Sequence, residues 1–220
     1  MRKTLLAITC CLTLSSLHAA TVNWGAINDT GLATASGAAL PQGNLVRLGY
    51  FTISDSAVVA AKTNLATLNA AWRSIADATV GTGTNADATF TVATSPAVLS
   101  GADFGHQIYL WTLNAPTVAA ATQQAIFYEP TANNTAWTFP SSNAGNLSTT
   151  VDIGQAKSSL GGVFLAGVYQ ANNAAVSSIF GGPAGAVQLE SVSPVPEPST
   201  FLVGAFAAMA GVSLRRRRQS

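Results

Sequence analysis

Gln107-Ile108-Tyr109-Leu110-Trp111-Thr112-Leu113 is the stretch that decides the fold class of this 220-residue chain. It carries no charge and is rich in aromatic and β-branched side chains, which fit the pleated surface of a strand. A continuous apolar run, rather than an alternating one, predicts a strand covered on both faces and therefore central in a sheet. Outward from it, the turn signal Pro41-Gln42-Gly43-Asn44 introduces Leu45–Ile53, apolar on both faces except at Arg47. That predicts a second central strand. Thr89–Ala93 alternates, with Phe90 and Val92 on one side and Thr89 and Thr91 on the other, as a half-buried strand does.

Val22–Ile27, Ala125–Glu129, Ala136–Phe139, Thr150–Ile153, Val163–Gln170 and Val187–Val192 have the same short β-rich character. Clusters such as Asn133-Asn134, Gly161-Gly162 and Gly181-Gly182-Pro183 punctuate them. No internal repeat is present at a fixed period, which argues against a solenoid. The fold class expected is mainly β: a single sandwich-like domain over residues 21–193. One segment departs from the pattern. Leu65, Leu68, Trp72 and Ile75 recur at steps of three and four, the spacing of one helical face. A helix over about 64–76 is predicted, after a turn or two capped by Ser54 or Asp55. It would pack on the sheet edge or cap one end of the sandwich.

The two ends of the chain are of another kind. Arg2 and Lys3 precede the apolar run Leu5–Leu14, and Ser15-Ser16-Leu17-His18-Ala19-Ala20 follows. Basic, apolar and small-residue regions in that order make a secretory signal peptide over residues 1–20, with cleavage expected after Ala20 or after Ala19. Cys10 and Cys11 lie inside its apolar run, without the preceding context of a lipidated cysteine. At the other end, Phe201–Leu214 is uncharged and Arg215-Arg216-Arg217-Arg218 follows it. As a helix rising ~1.5 Å per residue this run covers about 21 Å, against ~30 Å of hydrocarbon. It reads as a short transmembrane helix, with the arginines as a stop-transfer cluster on the cytoplasmic side. Pro194, Pro196 and Pro198 before it fix φ and hold the backbone extended around the single carboxylate of Glu197.

Val195-Pro196-Glu197-Pro198-Ser199-Thr200, the short apolar helix and the arginine cluster together resemble the PEP-CTERM sorting signal of exported bacterial proteins. The resemblance covers residues 194–220. It implies a membrane-embedded exosortase as partner and an inner-membrane intermediate that is processed near the motif. It also implies a final place at the cell surface or in the extracellular matrix, in exopolysaccharide and biofilm systems. An ordinary single-span C-terminal anchor is the alternative. Ala39–Phe51 is similar to the front of ectodomains found with this tail, with which no activity is associated.

Without its two ends the chain loses most of its basic residues. Arg47, Lys62, Arg73 and Lys157 face eight carboxylates between residues 21 and 193, a formal charge of −4. Four scattered cations make no footprint for nucleic acid. The absence of cysteine from this region excludes disulfides and thiol chemistry there. His106, its one histidine, lacks a recognisable nucleophile or elbow motif and reads as a strand-end residue bonding to a turn. One histidine and scattered carboxylates predict no metal site and no cofactor. Asn85-Ala86-Asp87 offers too few oxygens for a calcium loop, and Gly81-Thr82-Gly83-Thr84-Asn85 is a surface turn rather than a phosphate cradle. Trp24, Trp72, Trp111 and Trp137 are expected in the core rather than in a sugar-stacking platform, Trp137 being the least committed. Sequons at Asn28, Asn133 and Asn146 carry no argument. The expectation is an exported envelope or matrix protein without catalysis. The alternatives are a carbohydrate-binding module, marked by exposed coplanar aromatics, and a glycan-active hydrolase, marked by two acids about 5–10 Å apart in a cleft.

Overall fold

The computed structural model describes residues 21–26, 29–93, 99–130, 137–141, 148–157 and 161–192. The signal peptide with Ala20, the sequon asparagines Asn28, Asn133 and Asn146, and the sorting tail 194–220 lie outside the described residues. In chain order the elements are β1 (Thr21–Ala26), β2 (Thr30–Ala33), β3 (Leu45–Phe51), α1 (Asp55–Ala61), α2 (Leu65–Ala71) and β4 (Trp72–Thr79). Then come β5 (Phe90–Ala93), β6 (Tyr109–Leu113), β7 (Gln123–Tyr128), β8 (Ser148–Asp152) and a 3-10 turn (Ile153–Ala156). The last are β9 (Val163–Ala166), β10 (Val168–Gln170), α3 (Ala174–Phe180), β11 (Gly185–Gln188) and β12 (Glu190–Ser191). The fold is mainly β, with three sheets and three α-helices described.

The large sheet runs β12-β7-β6-β3-β4, with β9 sharing an edge of β7. Strand β6 lies between β3 and β7 and is buried at every position, as its apolar run predicts. It begins at Tyr109 rather than Gln107, because Gln107 makes only an isolated bridge to Thr138. The register Arg47↔Trp111↔Ile126 sets the two faces. Phe51, Tyr109, Trp111 and Tyr128 share one face, and α1 and α2 lie over it. Gln124 accepts from Trp111 Nε1 at 2.8 Å and donates to the Lys62 carbonyl, tying the helix–helix turn to the sheet. The opposite face, with Val46, Leu48, Leu110 and Phe127, is buried in one core with Trp24, Phe90 and Val151.

Two small sheets supply that opposing material. Their orders are β5-β1-β8 and β10-β11-β2, and the β1–β8 and β11–β2 pairs are parallel. The stretches Val163–Gln170 and Val187–Val192, each expected as one strand, are each two. The chain leaves the large sheet at Gly167, between β9 and β10, and rejoins it at Leu189, between β11 and β12. Gly167 has φ +78, and a Cβ there would stand 2.6 Å from the Gln188 carbonyl oxygen. A side chain is excluded where the two crossing strands touch.

The expected helix over 64–76 is corrected as well. α2 ends at Ala71, and Trp72 leaves it in extended geometry (φ −84, ψ 130) to start β4. Leu65 and Leu68 do form the buried face of the helix. Trp72 is buried as a strand residue, edge-on to Phe51 at 4.8 Å and to Trp111 at 5.5 Å. Strand β3 would otherwise have an unpaired edge, and the backbone pairing that β4 provides there outweighs the helical spacing. Ser54 is the N-cap of α1, as one of the two expected residues. Residues 137–139 make a bridge rather than a strand, and Thr150–Ile153 starts earlier and passes at Ile153 into the 3-10 turn. Strand β2 and helix α3 lie outside the segments that the sequence pattern marks. Among the described residues no helix is long and apolar enough to cross a membrane.

Candidate functional site

Three polar clusters among the described residues stand on the large sheet. The first lies at the end of β3. Tyr50 and Arg73 are direct partners across β3 and β4, so their side chains leave the sheet on the same face. The loop before β6 folds over them and buries Asp103, whose side chain is 3% exposed. Asp103 Oδ2 accepts from the Ser100 amide at 2.8 Å and the Ser100 hydroxyl at 2.5 Å. Its Oδ1 accepts from Tyr50 at 3.1 Å and from Arg73 Nε at 3.4 Å. Burial pushes the Asp103 carboxyl up, but the donors from Ser100, Tyr50 and Arg73 outweigh it and hold it below its ordinary value. The same burial, with the Asp103 charge beside it, pushes the Tyr50 phenol up. His106 lies flat on the Tyr50 ring, with centroids 4.2 Å apart and planes 8° apart. Its carbonyl accepts from the Phe139 amide at 3.0 Å, a main-chain bond beside the Gln107–Thr138 bridge rather than a contact with a turn. The imidazole is exposed and makes no hydrogen bond to a hydroxyl or carboxylate among the described residues.

The second cluster fastens α1 to the sheet. Asp55, in the first turn of α1, accepts from Tyr109 at 2.6 Å and from Tyr128 at 2.7 Å. Burial and then the Asp55 carboxylate push the Tyr128 phenol up to about 12, and the Tyr109 phenol higher still. Both stay protonated at any physiological pH, so they act as donors to a carboxylate rather than as bases or nucleophiles. The third is Arg47, whose guanidinium lies 5.6 Å from the Trp72 ring and 5.3 Å from Trp111. Asp77 at 3.2 Å and Asn69 at 2.8 Å hold its nitrogens. This one cation in the central strand is neutralised and packed between indoles.

The four tryptophans are in the core: Trp24, Trp72, Trp111 and Trp137 are 2%, 9%, 0% and 0% exposed. Trp137, the least committed by sequence, is fully buried and donates to Gln155 at 3.1 Å. Among the described residues no group of three His, Cys, Asp or Glu could hold a metal ion. The residues that the sequence marks most strongly lie beyond Val192. That residue is buried, and its amide donates to the Thr122 carbonyl at 2.8 Å, so the body is fastened to its last described position. Two positions on, Pro194 opens the proline strip.

Residues 194–218 match the family model of the PEP-CTERM protein-sorting motif. The chain carries a PEP-CTERM sorting signal. The matched stretch includes Val195–Thr200 and Arg215–Arg218. A PEP-CTERM signal implies export, a membrane-anchored intermediate and an exosortase as processing partner. No curated protein and no solved structure matches the chain. The PEP-CTERM match therefore assigns the tail and leaves the role of the body to its own residues. There, sequence reasoning singled out His106 but not Tyr50, Arg73, Ser100 and Asp103, which gather only in three dimensions.

Proposed function

We propose that this is a non-enzymatic envelope or matrix protein of an exopolysaccharide or biofilm system, exported and then processed by an exosortase. The observation that carries the reading is the PEP-CTERM match over residues 194–218. In this reading residues 1–20 are a signal peptide removed after Ala20, and residues 21–193 are a sandwich-like ectodomain. Phe201–Leu214 holds the chain in the inner membrane. Arg215–Arg218 stops translocation, since each arginine at a helix centre costs about 2.5–3.5 kcal/mol on insertion scales. Val195–Thr200 is the strip the exosortase binds, and its prolines suit a protease groove that takes extended backbone. One feature of the body suits a role without catalysis: the phenols beside Asp55 are held protonated and serve as donors to a carboxylate.

The test is expression of the full chain in a host that has the exosortase and in the same host with the enzyme deleted. Intact-mass analysis should find a product shortened near the motif in the first and the full tail in the second. Identical C-termini in both would overturn the reading. Of the alternatives, the exposed and rigid surface around His106 favours a carbohydrate-binding role. Nothing observed favours a hydrolase.

A further inference from the structure

We infer that the surface formed by His106 and Arg73, above the buried Tyr50, binds a carboxylate-bearing sugar unit of a polysaccharide. The imidazole would carry the face of the sugar ring, and the guanidinium would carry the carboxylate. The inference rests on the exopolysaccharide reading above and names the ligand class and the residues that meet it.

Arg73 is unlike the other three cations of the body. The Arg47 side chain is 12% exposed and wedged between two indoles, while Arg73 is 54% exposed. Lys62 and Lys157 direct their single ammonium groups at Glu190 and Asp29. Arg73 touches Asp103 only through Nε, at 3.4 Å, so its two Nη nitrogens have no partner among the described residues. A planar fork held at Nε and open at both Nη atoms matches the two oxygens of a carboxylate.

His106 supplies the second half. An exposed imidazole ordinarily samples several rotamers, but this one is backed by Tyr50 at 4.2 Å. Tyr50 is in turn fixed by its bonds to Asp103 and to the Ala102 carbonyl, at 3.1 and 3.3 Å. The His106 backbone is held by Phe139 on one side, and Gly105 donates to the Phe139 carbonyl at 3.2 Å. A flat ring with its inner face packed and its outer face open is a stacking surface that needs no ordering when a ligand arrives. The rim is low. Gly101, Ala102 and Gly105 are exposed, and a Cβ on either glycine would meet nothing within 4 Å. A chain of sugars can therefore lie across it.

The formal charge of −4 on the body gives no long-range attraction for a polyanion, so recognition must come from these contacts, one unit at a time. The buried Asp103 carboxylate is the anchor of the assembly: it orients Arg73 and Tyr50 from beneath and is not open to the ligand.

The test is calorimetric titration of the full chain in detergent micelles with tetragalacturonic acid, beside a neutral galactose tetramer. The acidic tetramer should bind and the neutral one should not. Arg73→Lys keeps the charge but loses the fork, and should weaken binding at least tenfold. His106→Ala should weaken it about fivefold, and Lys157→Gln should leave it unchanged. Near-UV circular dichroism of the buried tryptophans verifies the fold of each variant. No binding of the acidic tetramer, equal binding of the neutral one, or parental binding by either site variant would overturn the inference. A null titration with exosortase processing intact rejects this site alone, whereas loss of processing in the parent chain rejects the reading beneath it.

Discussion

Asp103 and Asp55 are where single residues carry the most weight in the body. The Asp103 carboxyl is held below its ordinary 3.8, so its contribution to stability is complete above that value. That contribution is lost as pH falls through the folded-state value. Asp103→Asn should therefore be less stable than the parent at pH 7, with the difference shrinking below about pH 4. Urea midpoints measured from pH 7 down to pH 3 check this, and a constant difference would contradict it. The phenols beside Asp55 behave in the opposite sense. Their values are raised, so their contribution is present below the ordinary 10.0 and is lost above it, for Tyr128 through about 12. Asp55→Asn should cost about 1.5–3 kcal/mol at pH 7, the range for hydrogen bonds to a charged group. Its alkaline unfolding should also be less steep above pH 10 than the parent's. The sequence exposed His106, because a lone histidine stands out. It hid the Tyr50–Asp103–Arg73 group, whose members lie 30 and 53 positions apart and carry no local signal.

Among the elements, β4 and its pairing with β3 show what sequence periodicity can and cannot decide. The apolar run of β6 settled its own position, because a strand buried on both faces leaves no other reading. The spacing Leu65, Leu68, Trp72, Ile75 carried the helix past Ala71, since no proline or glycine marks the boundary. The open edge of β3 lies in another part of the chain, so only pairing reveals it. β2, Thr30-Gly-Leu-Ala33, is too short and too small-sided to announce itself, although all four residues are buried. α3 does carry local signals: Asn173 caps its start, accepting from Val176 N at 2.9 Å, and Gly181 ends it in left-handed geometry. The β3–β4 pairing also yields a prediction. Its register shifts between Leu48 and Gly49, and a Cβ on Gly49 would collide with the Arg73 carbonyl and the Trp72 ring. Gly49→Ala should destabilise by about 1–3 kcal/mol or more, as overpacking against backbone does. A thermal melt unchanged from the parent would refute that.

For the whole molecule, the division into an exported body and a sorting tail was the most legible property of the sequence. Proline, apolar and arginine blocks in fixed order need no tertiary context to be read, whereas the role of the body depends on side chains that only folding brings together. Each cation of the body pairs with its own carboxylate, Arg47 with Asp77, Lys62 with Glu190, Arg73 with Asp103 and Lys157 with Asp29. In each pair one partner is exposed, so solvent weakens the attraction and the core must supply most of the stability. Residues 21–193, expressed alone, should therefore be soluble, with a β-dominated far-UV spectrum that reducing agents leave unchanged. A helix-dominated spectrum or an insoluble product would contradict this.

The central claim is that the tail is read as a sorting signal, and one blot tests it most directly. Pro196, Glu197 and Pro198 are changed together to alanine in the full chain, and membrane and extracellular fractions of an exosortase-containing host are compared with the parent. The account predicts unimpaired membrane insertion, no processing and accumulation of full-length protein in the inner membrane. A mature product of unchanged size and location would contradict it.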